Sequence, residues 1–294
     1  MPLQTTLDGK EMQVNQQYAA GERLAIPLLG VSFVVPPNCV AIYGSGGLAI
    51  VVRDISKEGL GLVLIQTGMS KPEARWLLQQ PLDLSMLAQG VTLQPQGEIE
   101  ESGDRLSRLF SNGYYCTRIT SVVAPHSAAA FSYVVPETDR ERGLKLVSEM
   151  ADSAKFAQPK DADLRKQWLQ GLQGKKLHVF KFKSGGMGSN SWSSETNREW
   201  HFGSDGSYVH SGRTTNSASV ETRDGGGNPT ASGGFAADND NNHAGKWRIE
   251  FNLGGCVLIL DSTQGNRRVH TLTFNGRVYL DGDETQISQS NLKS

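Results

Sequence analysis

The sequence is poor in cysteine and has no long apolar run, and each shortage excludes a class of protein. A disulfide framework prefers an even number of cysteines and a zinc site prefers close pairs. The three cysteines here, Cys39, Cys116 and Cys256, are far apart. We expect each cysteine to be a small buried thiol. A single Cys39–Cys116 disulfide is the alternative that the sequence leaves undecided. No run in the sequence approaches the roughly 20 apolar residues of a spanning helix, so we expect no membrane span.

The chain also lacks an excess of charge of either sign. Its 29 lysines and arginines nearly balance its 30 aspartates and glutamates, so we expect no nucleic-acid partner. The first residues have neither the basic start nor the apolar run of a secretory signal. We therefore expect a cytoplasmic protein, or a periplasmic or secreted one if a leader has been removed.

Residues 246–261 carry the clearest structural pattern in the sequence. In the first half, apolar residues alternate with polar ones, which is typical of a strand with one buried and one solvent-facing side. The Gly254-Gly255 pair supplies the positive φ of a tight turn, so the pattern predicts a hairpin. The predicted buried side carries Trp247, Ile249, Phe251 and Leu253, then Cys256, Leu258 and Leu260, and the predicted solvent-facing side carries Arg248, Glu250 and Asn252.

Other short strands surround this hairpin in the C-terminal half. Asn275-Gly276 and Ser204-Asp205-Gly206 are strong turn signals between strands. Several short strands joined by tight turns predict an all-β, up-and-down barrel of about eight strands over residues 158–294. Residues 211–244 are rich in Ser, Thr, Asn, Asp and Gly, which predicts a long polar loop, either a mobile lid over the barrel mouth or a partly disordered segment.

The N-terminal half combines strands with two helices. Ser70 with Glu73, and Thr138 with Glu141, have the spacing of capping boxes that open helices. We predict an α+β domain over residues 1–157, in which helices cover an antiparallel sheet. The predicted buried stripes are Ala74, Leu77 and Leu78 in the first helix, and Leu144, Val147, Ala151 and Ala154 in the second.

Two segments of this N-terminal half carry a family resemblance. GVSFVVPPNCVA, at residues 30–41, resembles the opening G-x-x-F-x-x-P strand pair of the PsbP-like superfamily. MADSAKF, at residues 150–156, is similar to the closing helix of that group. The resemblance implies a binding or chaperone-like module that contacts a protein partner, and it brings no shared catalytic residues.

The C-terminal half resembles the lipocalin-like (calycin) group. Leu172-Gln173-Gly174 stands where such domains carry an L-x-G-x-W opening, with Leu177 near the usual tryptophan. WHFGSDGSY, at residues 200–208, is similar to the F-x-x-D-G-x-Y hairpin, and Gly245-Lys246-Trp247 to the G-x-W strand. The resemblance implies a barrel that encloses a small apolar ligand.

The sequence carries no catalytic or metal-binding signature. It has no G-x-S-x-G elbow. Residues 238–242 have the D-x-D-x-N spacing of a calcium loop, but His243 and Ile249 stand where that loop needs glycine and glutamate. His178 and His201 are out of phase with their apolar neighbours, so we expect both to face solvent and to bind no metal with the other histidines. We expect no catalytic residue, no metal and no cofactor.

Aromatic residues are the best candidates for ligand contact. Trp200 and Trp247 fit a core role better than a ligand role, whereas Trp192 lies in a polar segment where a lid or partner contact explains it. Our hypothesis is a non-catalytic, two-domain binding protein; the alternatives are a chaperone-like assembly component and an enzyme with its site at the barrel mouth. The predicted ligand-binding residues are Trp192, Trp200, Phe202, Trp247, Ile249 and Phe251.

Overall fold

The structure is a computed structural model that describes residues 7–45, 47–84, 91–187, 190–223 and 229–290. Within these residues it is mostly β, with three α-helices and one short 3-10 turn. The predicted α+β class, a sheet with covering helices, is therefore corrected to a mostly β fold. The physical reason is that the two helical signals of the N-terminal half extend over only 7 and 14 residues, and the alternating segments between them continue as strands.

The chain divides into two compact units. Unit 1 comprises Met1–Asp163 with Glu250–Gly255, and unit 2 comprises Leu164–Ile249 with Cys256–Ser294. The division into domains at 1–157 and 158–294 stays a prediction.

The elements of unit 1 are short strands and two helices. Its strands are β1 (Lys10–Glu11), β2 (Gln17–Tyr18), β3 (Arg23–Ile26), β4 (Val31–Val34), β5 (Cys39–Ile42), β6 (Ile50–Asp54), β7 (Leu60–Thr67), β8 (Leu82–Asp83), β9 (Thr92–Ser102), β10 (Arg105–Ser111), β11 (Tyr115–Val123), β12 (Ser127–Pro136) and β13 (Lys155–Phe156). Its helices are α1 (Lys71–Leu77) and α2 (Arg140–Ser153), with the 3-10 turn at Glu137–Asp139.

Longer strands dominate unit 2. It contains most of α3 (Ala162–Leu172) and the strands β14 (Lys175–Met187), β15 (Asn190–Phe202), β16 (Ser207–Arg223), β17 (Pro229–Asp240), β18 (His243–Asn252), β19 (Gly255–Ser262), β20 (Arg267–Phe274), β21 (Val278–Leu280) and β22 (Asp283–Gln289). The last three residues of β18 belong to unit 1.

The main sheet of unit 1 is antiparallel, in the order β9-β10-β11-β12-β7-β6-β5-β2. The end of β18 joins it where Asn252 pairs with Gln66 of β7. A second sheet has the order β1-β3-β4-β13. Helix α2 packs against β11, β12 and β4, and its buried residues include Val147 and Ala151, as predicted.

Helix α1 begins where the predicted capping box placed it. The backbone N–H of Ser70 donates to the Glu73 carboxylate, which satisfies one of the free amides at the helix start. Ala74 and Leu78 are buried in an apolar cluster with strands of the main sheet. Leu77 is 49% exposed, so the predicted stripe is wrong at this position. Leu77 lies on the solvent side of the helix, next to Trp76, which is also exposed.

Unit 2 closes into an antiparallel barrel, and the prediction of about eight strands is confirmed. Among the described residues the cycle contains β14, β15, β16, β18, β19, β20, β21 and β22, and β22 closes it by pairing with β14. Its inward-facing residues include Leu177, Phe202 and Leu258, all fully buried.

The prediction of a long polar loop over residues 211–244 is wrong for the described part of this range, which contains two paired strands; residues 224–228 lie outside the described residues. β16 pairs with β18 through Ser207–His210 and with β17 from Arg213 onward. Serine hydroxyls also bond across the neighbouring strands, with Ser191 and Ser193 facing Ser219 and Ser217 at 2.8 and 2.7 Å. Such strands are polar on both faces, so the apolar alternation that identifies a strand in a sequence is missing here.

The predicted hairpin around Gly254-Gly255 is confirmed by β18 and β19, and Gly255 has a φ of +118°. The predicted solvent-facing side is wrong at Glu250, which is only 6% exposed. Thr67 of β7 donates its hydroxyl to Glu250 Oε2 at 2.7 Å and accepts the Phe251 N–H at 2.9 Å. Strand β7 therefore shields Glu250 from solvent and supplies its hydrogen-bond partner.

All three cysteines lie in the described part of the chain and are buried, as predicted. No disulfide joins Cys39 to Cys116, and burial raises the pKa of the Cys39 thiol to about 11. Within the described residues, no helix combines the length and apolarity needed to cross a membrane.

Candidate functional site

Four aromatic and imidazole rings meet inside the barrel of unit 2. Trp200 of β15 pairs with His210 of β16, which pairs with His243 of β18. The rings of His210 and His243 stack with centroids 4.4 Å apart, and Trp200 lies 4.8 Å from His210 and 5.9 Å from His270. We call Trp200, His210, His243 and His270 the ring layer. Antiparallel pairing places these rings on the inward face because paired residues share a side of the sheet.

Two members of the ring layer are oriented through their Nδ1 atoms. The Tyr208 hydroxyl lies 2.9 Å from His243 Nδ1, and an Asp281 carboxylate oxygen lies 2.7 Å from His270 Nδ1. A carboxylate can only accept, so His270 Nδ1 carries a proton and donates to Asp281. Each contact turns the opposite nitrogen of the ring towards the barrel interior.

Five ring nitrogens of the layer are buried without a hydrogen-bond partner among the residues that the structure describes. They are Trp200 Nε1, both nitrogens of His210, His243 Nε2 and His270 Nε2. Buried polar atoms without partners are costly, and a cluster of them in one place points to a ligand or ordered water. His210 is the most enclosed of these residues, with 2% of its surface exposed.

The surroundings of the ring layer favour neutral histidines. Burial lowers the pKa of His210 to about 4, and His243 and Arg268 add to this effect. Burial also lowers the pKa of His243, with further contributions from Arg268 and His270. His210 and His243 are therefore neutral at pH 7, in an environment that already carries positive charge.

The sequence reasoning found only part of this layer. It treated His210 and His270 only as two of the other histidines that bind no metal, and predicted that His178 and His201 face solvent. His178 and His201 lie beside Asn197 and Ser290 respectively, outside the layer. It missed His243, because the residue follows a polar run and was considered only as a mismatch in a calcium loop. His243 belongs to the ring layer because β18 pairs with β16 in a register that places His243 opposite His210. The sequence of a single strand does not reveal that pairing. Within the described residues, no three His, Cys, Asp or Glu side chains are grouped closely enough to hold a metal ion.

A second candidate site is an open cavity of about 500 Å³ in unit 1. It lies beside the apolar cluster that α1 covers. Its floor is apolar and its rim carries charges of both signs. The floor contains Leu60, Leu84, Val91, Val134 and Pro136, and the rim contains Arg53, Asp54, Lys57, Glu58 and Tyr115.

The two carboxylates on this rim are already engaged. Asp54 pairs with Arg142 at 3.1 Å and accepts from Ser56, and these contacts keep the pKa of its carboxyl below the usual value although burial opposes them. Glu58 accepts the Tyr115 hydroxyl at 3.3 Å. Arg53 and Lys57 have no ion-pair partner in the described part of the chain. Arg53 and Lys57 are therefore the charged groups on the rim that are available to bind a ligand.

The predicted ligand-binding residues do not converge on one site. Phe202 packs against Trp247 with centroids 5.1 Å apart, and Trp247 Nε1–H donates to the Gly203 carbonyl, as in a core. Phe251 belongs to unit 1. Trp192 is 48% exposed and borders a separate, serine-lined hollow of about 430 Å³. The other two differ in their surroundings: Ile249 is buried in unit 2, and Trp200 belongs to the ring layer.

The His270–Asp281 pair resembles the orienting half of a general base, because a carboxylate fixes the tautomer of the imidazole. A nucleophile would have to meet His270 Nε2, and in the described residues that atom has no hydrogen-bond partner. None of the protein-family models, curated proteins and solved structures compared with this chain matches it.

Proposed function

We propose that this chain is a non-catalytic binding protein, whose unit 1 holds a small, mainly apolar ligand. The cavity of about 500 Å³ in that unit carries the proposal. A hollow of this size with an apolar floor and a few polar rim groups has the usual character of a small-molecule site. Arg53 and Lys57 favour a ligand with one negatively charged end.

The barrel is the less suitable place for an apolar ligand. Phe202, Trp247 and Ile249 are between 0% and 6% exposed, and the aromatic rings pack directly on one another. Filling that space with a ligand would require displacing core side chains. The likeness to lipocalin-like barrels is thus proposed for the architecture, and ligand binding is proposed for unit 1.

A protein partner for unit 1 is the second part of the proposal, in line with the resemblance to PsbP-like modules. Helix α1 exposes Trp76 by 57% and Leu77 by 49%. Large apolar side chains on a surface helix are typical of contact surfaces. An assembly or chaperone-like role would use the same face.

Native mass spectrometry and displacement of the fluorescent probe 8-anilinonaphthalene-1-sulfonate test the ligand proposal. The probe combines apolar rings with a sulfonate, so it matches the cavity and its rim. We expect saturable binding that Val91→Trp weakens at least about tenfold, because the indole fills the cavity.

Val14→Trp is the matched control, since Val14 also lies in unit 1 but is 52% exposed and outside the cavity. It should bind the probe as the unmodified protein does. Equal binding by both variants would reject the cavity as the site. If native mass spectrometry detects no small-molecule adduct but detects a bound protein, the result would favour the partner role.

A further inference from the structure

Two arginines without ion-pair partners stand beside the ring layer. Arg198 pairs in register with Val179 and Gly212, and Arg268 with Leu260. Val179 and Leu260 are buried at 2% and 0% exposure, so both arginines occupy the inward register of their strands. Each lies two residues from a member of the ring layer, Trp200 and His270, on the same face. Neither forms an ion pair with any described residue.

The arginines share one level of the barrel with Gly212 and Asn241. Arg268 Nη2 donates to Asn241 Oδ1 at 3.1 Å, and the Asn241 N–H donates to the Gly212 carbonyl at 2.7 Å. We call Arg198, Gly212, Asn241 and Arg268 the arginine layer. Unlike the ring layer it contains solvent-exposed residues, Arg198 and Asn241, so it forms a mouth of the barrel.

Gly212 lets the His210 imidazole lie directly against the backbone of β16. A Cβ atom at Gly212 would lie 2.8 Å from His210 Cε1 and 3.3 Å from the Asn241 carbonyl oxygen. A side chain in that position would collide with the imidazole. The glycine therefore allows His210 to lie next to the arginine layer.

We propose that the arginine layer and the ring layer together bind a compact oxyanion, a carboxylate or a phosphate group, at this mouth of the barrel. Guanidinium groups match the planar or tetrahedral oxygens of such anions and bind them with paired hydrogen bonds. The indole Nε1–H of Trp200 and the N–H groups of His210 and His243 lie one step deeper and supply further donors.

The charges around the layers favour an anion over a cation. Lys181, the next cation along the inward face of β14, is neutralised by Asp283 at 2.5 Å, whereas Arg198 and Arg268 are not neutralised. The carboxylates nearby are committed elsewhere: Asp281 to His270, and Asp261 to Arg248 and Arg267. A metal cation would meet two uncompensated positive charges, while an oxyanion would compensate them.

Isothermal titration with sodium sulfate tests the site on the full chain. Sulfate keeps its charge through neutral and mildly acidic pH, so any pH dependence of binding comes from the protein. We expect one saturable sulfate site per chain, weakened at least about tenfold in R198Q and in R268Q, because each loses a charged donor.

R277Q is the matched control, because Arg277 is an exposed arginine of unit 2 that pairs with Glu284 outside the two layers. It should bind sulfate unchanged. Thermal unfolding of each variant without sulfate verifies that it is folded. The proposal would be overturned if sulfate binding did not saturate. It would also be overturned if R198Q, R268Q and R277Q bound sulfate equally well.

The pH dependence and the identity of the anion complete the test. An anion beside His210 favours its protonated form, so the pKa of His210 should be higher with sulfate bound than the value of about 4 in the free protein. Sulfate affinity should therefore rise by up to about tenfold per pH unit as pH falls towards that value. The groups that face His210 are Arg198, Arg268, His243 and the Asn241 carbonyl. Acetate and inorganic phosphate at pH 7 distinguish a carboxylate site from a phosphate site by their relative affinity. Affinity independent of pH would contradict a contact with His210.

Discussion

At the scale of single residues, His210 is the most unusual side chain in the barrel. Its imidazole is 2% exposed, stacks on His243, and has neither ring nitrogen bonded in the described structure. Burial is the main reason that its pKa falls to about 4. A residue that stays neutral in the folded chain and gains a proton in the unfolded chain makes stability depend on pH.

We predict that acidification destabilises unit 2 through His210. Between the folded pKa of about 4 and the unfolded value near 6.5, the unfolded chain binds more protons. The free energy of unfolding should therefore fall as pH falls through this window, by on the order of 3 kcal/mol at most. Urea unfolding of the unmodified protein and of His210→Gln at several pH values measures this change, and His210→Gln should lose part of the slope.

His178→Gln is the control for that measurement, because His178 lies outside the ring layer and bonds to Asn197 at 2.9 Å. Its unfolding free energy should follow the pH dependence of the unmodified protein. If His210→Gln and His178→Gln show the same slope, the buried imidazole is not the group that titrates.

At the scale of elements, turn chemistry and the capping box at Ser70 were readable in the sequence, and packing partners were not. The capping box predicted at Thr138 is wrong, because α2 begins after Asp139 without a side-chain cap. The hairpin at Gly254-Gly255 and the start of α1 follow from a few adjacent residues. Glu250 was predicted to face solvent because its own strand shows only alternation, while its partner Thr67 lies 183 residues away. His243 was missed for the same reason, since its neighbours in the ring layer come from other strands.

The turn between β20 and β21 permits a direct test of such local chemistry. Gly276 has a φ of +72°, which strains any residue with a Cβ, although no atom lies within 4 Å of a Cβ placed there. We predict that Gly276→Ala lowers the free energy of unfolding by about 1 kcal/mol through backbone strain alone. Chemical denaturation with a constant m-value would measure it.

Gly171→Ala provides the comparison within the same unit. Gly171 lies in α3, also has open space around a Cβ, and lacks a positive φ. Alanine favours a helix over glycine, so this variant should be neutral or stabilised by up to about 1 kcal/mol. Opposite signs for the two glycines would support the argument from backbone conformation, and equal effects would oppose it.

At the scale of the whole molecule, the chain returns to unit 1 after building most of unit 2. Glu250–Gly255 belongs to unit 1 although 86 residues of unit 2, Leu164–Ile249, precede it. This return segment contributes the buried Phe251, the Glu250 carboxylate bonded to Thr67, and the Leu253 carbonyl that accepts the Tyr43 hydroxyl. Unit 1 is therefore incomplete when the chain is cut after residue 163.

We predict that a fragment of residues 1–163 is less stable than unit 1 in the full chain. Losing the buried Phe251 alone should cost on the order of 3–5 kcal/mol, the range measured when large aromatic side chains are removed from cores. Hydrogen exchange of the β7 amides, measured on the fragment and on the full chain, would report the difference. A synthetic peptide of residues 248–257 should restore part of the protection, and the same peptide with Phe251→Ser should not. Equal protection in fragment and full chain would mean that unit 1 folds without its last segment, and the discontinuity would then have no energetic role.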